Sequence, residues 1–218
     1  MSTDAWTPSS NAYTPCHKDG GKICYARDNA DRCYSTCQSD GATALMALDA
    51  ELVMVSKGGE RRLGVADLYT NDGIRPFAIE SHELLKEIVI PTGANASAYQ
   101  RLAYRSAIDY PIVSAGTAIT ASEGSVNKAR IAVGAIGRSP LYLVQASALL
   151  KGKALKDEHA FRDAAIEAME SAAAFAVHNV GATLDYRCAM IEKMVFRALK
   201  TTADAILCAL AIDGAIKK

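Results

Sequence analysis

The sequence predicts an α+β protein. Two β-rich pairs face each other across short Gly-containing turns, Lys57-Gly58-Gly59 and Ser122-Glu123-Gly124-Ser125. Helical stretches are grouped beside these pairs instead of alternating with single strands, which gives two sheet-plus-helix units in series. Half of the 218 residues are apolar, enough for a sizeable core.

Taken in order, residues 1–15 are polar and interrupted by Pro8 and Pro15, and read as extended or disordered. Residues 16–40 form a Gly- and Asp-rich loop with four of the six cysteines. Ser39-Asp40 can cap a short helix through Leu48. Glu51–Ser56 and Glu60–Val65 read as a hairpin, Val65–Tyr69 as a helical turn, and Ile74–Ile79 and Leu84–Ile90 as two more strands. Pro91–Asn95 marks a domain boundary. Beyond it, Ala98–Arg105, Ile112–Thr120 and Val126–Ile136 read as three strands. Three helices follow. The first has Ser139 as N-cap and Pro140 at the first helical position, and Gly152 ends it. The second, Asp157–His178, has apolar residues at 161, 164, 165, 168, 169, 172 and 173, close to the helical period. The third, Tyr186–Ile212, is apolar on more than one side and reads as a core helix or a subunit interface. The expected organisation is residues 1–15 as a polar segment, 16–92 and 96–204 as two domains, and 205–218 as a helix end.

Charge is balanced, with 24 basic and 24 acidic side chains, so nothing favours electrostatic binding to nucleic acid or membrane. No apolar run has the ~20 residues of a membrane helix, and the first residues lack a signal peptide's basic start and apolar run. A cytoplasmic location is expected, where thiols stay reduced and thiolate ligation is favoured over disulfides.

Cys16, Cys24, Cys33 and Cys37 are separated by seven, eight and three residues. Only the last pair approaches a zinc knuckle. Iron–sulfur clusters accept less regular thiolate spacings. The spacing alone therefore leaves a cluster, a zinc site and free thiols open, in that order. Cys188 and Cys208, on the last helix, read as buried small apolar residues. There is no G-x-G-x-x-G, no Walker A, no H-E-x-x-H and no G-x-S-x-G. The four histidines are scattered, and each reads as a surface or helix-edge residue. No catalytic residue is expected in this chain.

Six segments carry a resemblance: SDGATALMALDAEL (39–52), GGERRLGVADLY (58–69), ESHELLKEIVIP (80–91), AYQRLAYRSAIDYP (98–111), NKARIAVGAIGRSPLYLVQASALLKGK (127–153) and LDYRCAMIEKMVFRAL (184–199). In this order they resemble the FAD-binding subunit of the molybdenum hydroxylases, the xanthine dehydrogenase and carbon monoxide dehydrogenase group. The resemblance implies the second half of a flavin-binding domain, followed by a C-terminal domain with a three-stranded antiparallel sheet and helices. The cysteine loop is most similar to that of the 4-hydroxybenzoyl-CoA reductase branch, where it holds a [4Fe-4S] cluster. Cys16, Cys24 and Cys33 match three ligands of that branch. The first has no counterpart here, and Cys37 could take its place.

The family's first flavin loop, which grips the FAD pyrophosphate, has no counterpart, so the chain resembles the C-terminal portion of a longer subunit. Asn29-Ala30-Asp31 stands where relatives have Gly-Gly-Asn, with less backbone freedom at Ala30. The resemblance implies that Asp40 contacts the ribityl side of FAD, that Leu85 lies at the flavin ring, and that Arg101 supplies a cation near it. Read from the residues alone, the three are a helix cap, a core leucine and a solvated arginine. The implied function is electron transfer, through FAD and [4Fe-4S], in a 4-hydroxybenzoyl-CoA reductase-like complex. The implied partners are a molybdopterin-binding large subunit, a [2Fe-2S] small subunit and an external donor such as ferredoxin. A flavin subunit of a xanthine-, nicotinate- or aldehyde-type hydroxylase, or a cofactor-free structural fragment, are the other readings.

Overall fold

A computed structural model describes residues 14–178 and 182–216 of the chain. The expected character of residues 1–13 lies outside the described residues.

The first helix, α1 (Asp40–Ala47), starts where Ser39 Oγ accepts the Ala42 amide. Strands β1 (Glu51–Ser56) and β2 (Gly59–Gly64) form the expected hairpin, and β3 (Leu84–Val89) pairs antiparallel with the other edge of β1. Ala66–Leu68 is a 3-10 turn. The strand expected over Ile74–Ile79 does not form, and only an isolated bridge joins Tyr69 to Phe77. Local side-chain bonds compete with a ladder there. Thr70 Oγ1 accepts the Asp72 amide, and Asp72 Oδ1 accepts the Ile74 amide at 2.8 Å. Pro76 has no amide to donate.

The second sheet runs β4 (Ala96–Leu102), β5 (Val113–Ser122), β6 (Ser125–Gly134) and β7 (Leu141–Tyr142), all antiparallel. Glu123 and Gly124 both have positive φ, as a two-residue hairpin turn requires. The sheet therefore has one strand more than the three expected. The extra strand also corrects the helix expected from Ser139. Leu141 and Tyr142 pair with Val133 and Ala132, so α2 is confined to Val144–Leu149. Ser139 caps nothing and donates its hydroxyl to Asn71 Oδ1 instead. α3 (Glu158–Ala173) is capped by Asp157 and ends short of His178, and α4 spans Leu184–Ile216.

Side chains alternate across β5 and β6, so the sheet has two distinct faces. Val113, Ala115, Ile119, Ile131 and Val133 pack on Phe161, Ala164 and Ala168 of α3 and Ile191, Val195 and Leu199 of α4, and all are buried. On the other face α1 lies across two glycines. A Cβ at Gly116 would stand 3.0 Å from Ala47 Cβ and from the Thr43 carbonyl, and one at Gly134 would collide with Thr43 Oγ1. α1 is thus a middle layer, its Ala42, Met46 and Ala47 packing with Leu52, Met54 and Val65 on one side and Ala132 on the other. Among the described residues no helix is long and apolar enough to cross a membrane. Cys188 is half-buried and Cys208 exposed, which corrects the burial expected of both. α4 makes its buried contacts up to Ile206, and Leu210 and Ile212 beyond it are exposed.

Candidate cofactor site

The cysteine loop has little core of its own and is ordered by docking on the second sheet's unit. The Cys37 amide donates to Gly137 O at 2.8 Å, the His178 amide to Ala26 O at 3.0 Å, and Arg27 Nη1 to Ala174 O. At its start, Cys16 O accepts the amides of Asp19 and Gly21, which closes a tight turn. Asn29 adopts a left-handed φ of 52°. The loop keeps its turn through an asparagine, which tolerates that region, without asking it of Ala30.

The four cysteines of the loop have different surroundings. Cys16 and Cys24 are half-buried in the first part of the loop. Cys33 is buried against Gly73, where a Cβ would stand 2.7 Å from its Sγ. Cys37 Sγ lies 3.9 Å from Tyr69 Oη, and burial pushes that phenol's pKa up. Among the described residues, no three of Cys, His, Asp and Glu converge as a metal ion requires. The expected ligand set Cys16, Cys24, Cys33 and Cys37 is therefore not assembled, and these residues do not fit a [4Fe-4S] cluster as arranged.

Asp40 and Arg101 are brought together. The Asp40 carboxylate accepts Tyr99 Oη at 2.5 Å and Arg101 Nη1 at 3.3 Å. Burial and the bond to Asp40 both raise the Tyr99 pKa. Arg101 also donates to Asp109 O at 3.0 Å and to Ala107 O, which ties the 105–111 loop to the head of α1. Leu85 is elsewhere, facing outward from β3 with 51% of its surface exposed.

Beside Ser39 opens a cavity of about 450 Å³, lined by Lys18, Ser35–Ser39, Gly73, Pro76, Phe77, Tyr110 and Arg138. Its lining includes hydroxyl and amide groups, two rings, a proline and two cations. Arg138 stands 4.1 Å over the Tyr34 ring, and Arg27 contacts the same ring at 4.9 Å. Tyr110 also borders a second cavity of about 230 Å³, which reaches Arg187. Arg187 is 1% exposed and donates to Val177 O at 2.9 Å, Ile112 O at 3.2 Å and Ala135 O. Burial lowers its pKa. It pins the ends of β5 and β6, and with them the loops that carry Tyr110 and Arg138. Sequence reading missed Lys18, Tyr34, Tyr110, Arg138 and Arg187, because only the fold brings positions so far apart together.

The pattern of the FAD binding domain in molybdopterin dehydrogenase matches residues 19–93, and that of the CO dehydrogenase flavoprotein C-terminal domain matches residues 97–202. Residues 19–93 are thus similar to the FAD-binding domain of molybdopterin dehydrogenases. Its sequence is 33% identical over 128 residues to the nicotinate dehydrogenase FAD-subunit of Eubacterium barkeri, covering 57% of this chain and 43% of that protein. It is 24% identical to the nicotine 6-hydroxylase medium subunit of Paenarthrobacter nicotinovorans, covering 71% and 53%. The chain thus spans about half the length of these curated relatives. Among solved structures it is similar to a chain of the reconstituted CO dehydrogenase from Oligotropha carboxidovorans, with a TM-score of 0.67, 29% identity, and coverage of 76% of this chain and 57% of that one. The sheet, α1 and the flanking helices described above are therefore a molybdopterin dehydrogenase flavin-subunit fold.

Proposed function

We propose that this chain binds FAD and serves as the electron-transfer flavoprotein subunit of a cytoplasmic molybdenum hydroxylase. The observation that carries the reading is the mixed cavity beside Ser39, in a chain whose residues 19–93 are similar to this family's FAD-binding domain. Its donor set suits a flavin. Phe77 and Tyr110 offer flat apolar walls, the Ser35, Thr36 and Ser39 hydroxyls and the Gln38 amide offer hydrogen bonds, and Lys18 and Arg138 offer positive charge. FAD supplies reversible one- and two-electron storage when bound. The chain's own residues position it. Asp40, fixed by Tyr99 and Arg101, holds the head of α1 against β4, and Arg187 holds the loops on either side of Tyr110.

The substrate reacts in a molybdopterin-binding large subunit, with a [2Fe-2S] small subunit relaying electrons. The dispersed cysteines and the likeness to a nicotinate dehydrogenase FAD-subunit favour a hydroxylase of N-heterocycles over a 4-hydroxybenzoyl-CoA reductase fed by ferredoxin. Titration of the full chain with FAD, followed by flavin fluorescence and visible absorbance, tests the reading. Saturable quenching is expected, and weaker in Asp40→Ala. A chain that leaves FAD spectra unchanged at every ratio would exclude it.

A further inference from the structure

The cation that stabilises charge on the flavin has been expected at Arg101. The structure gives that guanidinium other work. Arg101 faces the Asp40 carboxylate and donates to two backbone carbonyls, so its charge is matched and its donors are engaged. Arg138 is in the opposite condition. Its Nη1 is buried and has no hydrogen-bond partner. The charge of Arg138 is felt by Asp31, but Asp31 is held by Arg32 through contacts of 2.7–3.1 Å. One face of the Arg138 guanidinium is covered by Tyr34, and the same side chain lines the cavity together with Lys18. Lys18 makes a long contact of 3.4 Å to Ser35 Oγ and is solvent-exposed.

A guanidinium N–H buried without an acceptor is costly, and the Tyr34 ring on one face of Arg138 offsets only part of that cost. With one face on Tyr34, the Arg138 side chain borders the cavity and brings its positive charge to it. We infer that Arg138, assisted by Lys18, is the residue pair that binds the anionic form of the cofactor, and that Arg101 positions Asp40 instead. The inference rests on the reading of the cavity as the FAD site. With FAD in the cavity, the positive charge of Arg138 would act on the ring atoms that gain negative charge on reduction. Its stacking on Tyr34 fixes the plane from which it does so. Because the contact strengthens when the ring becomes anionic, it acts on the potential more than on the binding of oxidised FAD.

The experiment uses the full chain, as wild type, Arg138→Gln, Arg138→Lys, Lys18→Gln and Arg101→Gln. FAD affinity is read by fluorescence and the two-electron midpoint potential by anaerobic spectroelectrochemistry. Arg138→Gln is expected to weaken reduced FAD about tenfold more than oxidised FAD, a shift of about 30 mV to more negative potential. Arg138→Lys should recover most of that shift. Lys18→Gln, on an exposed residue whose replacement leaves the fold intact, should move the potential in the same direction by less. Arg101→Gln should weaken both forms alike and leave the potential where it is. A wild-type potential in both Arg138→Gln and Lys18→Gln overturns the inference while FAD binding stands, and so does a shift confined to Arg101→Gln. Absence of flavin binding in the wild type overturns the cavity's reading and the inference with it.

Discussion

The two sheets of this chain are held in different ways. The β4–β7 sheet has helices α3 and α4 on one face and α1 on the other, and the residues between it and α3 and α4 form one continuous buried cluster. The β2-β1-β3 sheet buries only its central strand, through Leu52, Val53 and Met54. On β3, Leu84, Leu85 and Ile88 are 72%, 51% and 46% exposed. The first sheet therefore depends on α1, and α1 in turn depends on two glycines of the second sheet. The cysteine loop follows the same rule in part, since its bonds reach residues 137, 174 and 178 of the second unit as well as Gly73 of the first. Stability in this molecule is built into the C-terminal unit and extended to the cofactor region by docking.

The strongest way to test that asymmetry is to damage the core of the second unit. Phe161 is 1% exposed between α3 and the sheet. Phe161→Ala should cost about 3–5 kcal/mol from lost burial and the cavity left behind. Chemical denaturation should then show both sheets unfolding together. If the first sheet keeps its structure after the second has melted, the dependence proposed above is wrong.

Gly134→Ala acts on the seam itself. The new methyl would collide with Thr43 Oγ1 of α1, on the side of β6 away from α4. A penalty of about 1–3 kcal/mol is expected from overpacking. Its signature is selective, with proteolysis in residues 51–90 rising well before the C-terminal sheet opens. Thr43→Ala in the same chain should return part of the loss, since the two sites are in contact. Equal protease sensitivity of wild type and Gly134→Ala would show that α1 is not the joint.

Much of the asymmetric frame was legible in the sequence, and the reasons are local. Ser39 and Asp157 could be recognised as caps because a cap is a short-range bond. Glu123-Gly124 could be recognised as a hairpin turn because few residue pairs accept positive φ at both positions. Leu141–Tyr142 was hidden. Ser-Pro looks like a helix start, and only the distant edge of β6 makes this segment a strand. The site divides in the same way. Asp40 and Arg101 do meet, whereas the cysteine spacing pointed to a ligand set that is not assembled among the described residues. Nothing in the sequence near Lys18 pointed to Arg138, because their proximity is a property of the assembled fold.

A smaller effect is expected at the Asp40 clamp. Asp40→Asn should cost about 1 kcal/mol, because the ion pair is only partly shielded from water and the Tyr99 bond survives in weaker form. The clamp also predicts an alkaline limb. The Tyr99 and Tyr69 phenols both titrate above their ordinary value of 10.0, first because they are buried. A raised native pKa favours the neutral phenol, so its contribution is complete below about pH 10 and is lost as pH rises beyond that. Phenolate absorbance against pH should show two late-titrating tyrosines in the wild type. In Asp40→Asn one of them should move toward the ordinary range. Stability that stays flat well above pH 10 would contradict the burial of these two hydroxyls.

The finest test lies at the acid end, on the exposed side of the weaker sheet. Arg61 of β2 grips Glu83 with bonds of 2.5 and 2.8 Å and also donates to Ala78 O at 2.8 Å. Glu83 accepts the Glu80 amide as well. The guanidinium, and then the amide, hold the Glu83 carboxyl down to about 2. A lowered native pKa means that the contribution is present above the ordinary value of 4.5 and is lost as pH falls toward about 2. What it fastens is the segment that failed to become a strand, the turn between Phe77 and β3. Glu83→Gln should therefore change little in global unfolding. It should speed amide exchange in residues 78–83 at neutral pH, and the difference from wild type should vanish below about pH 2. If exchange in that turn is equally fast in both proteins at pH 7, its order comes from backbone bonds such as Ala78 N–H to Leu68 O and not from the ion pair.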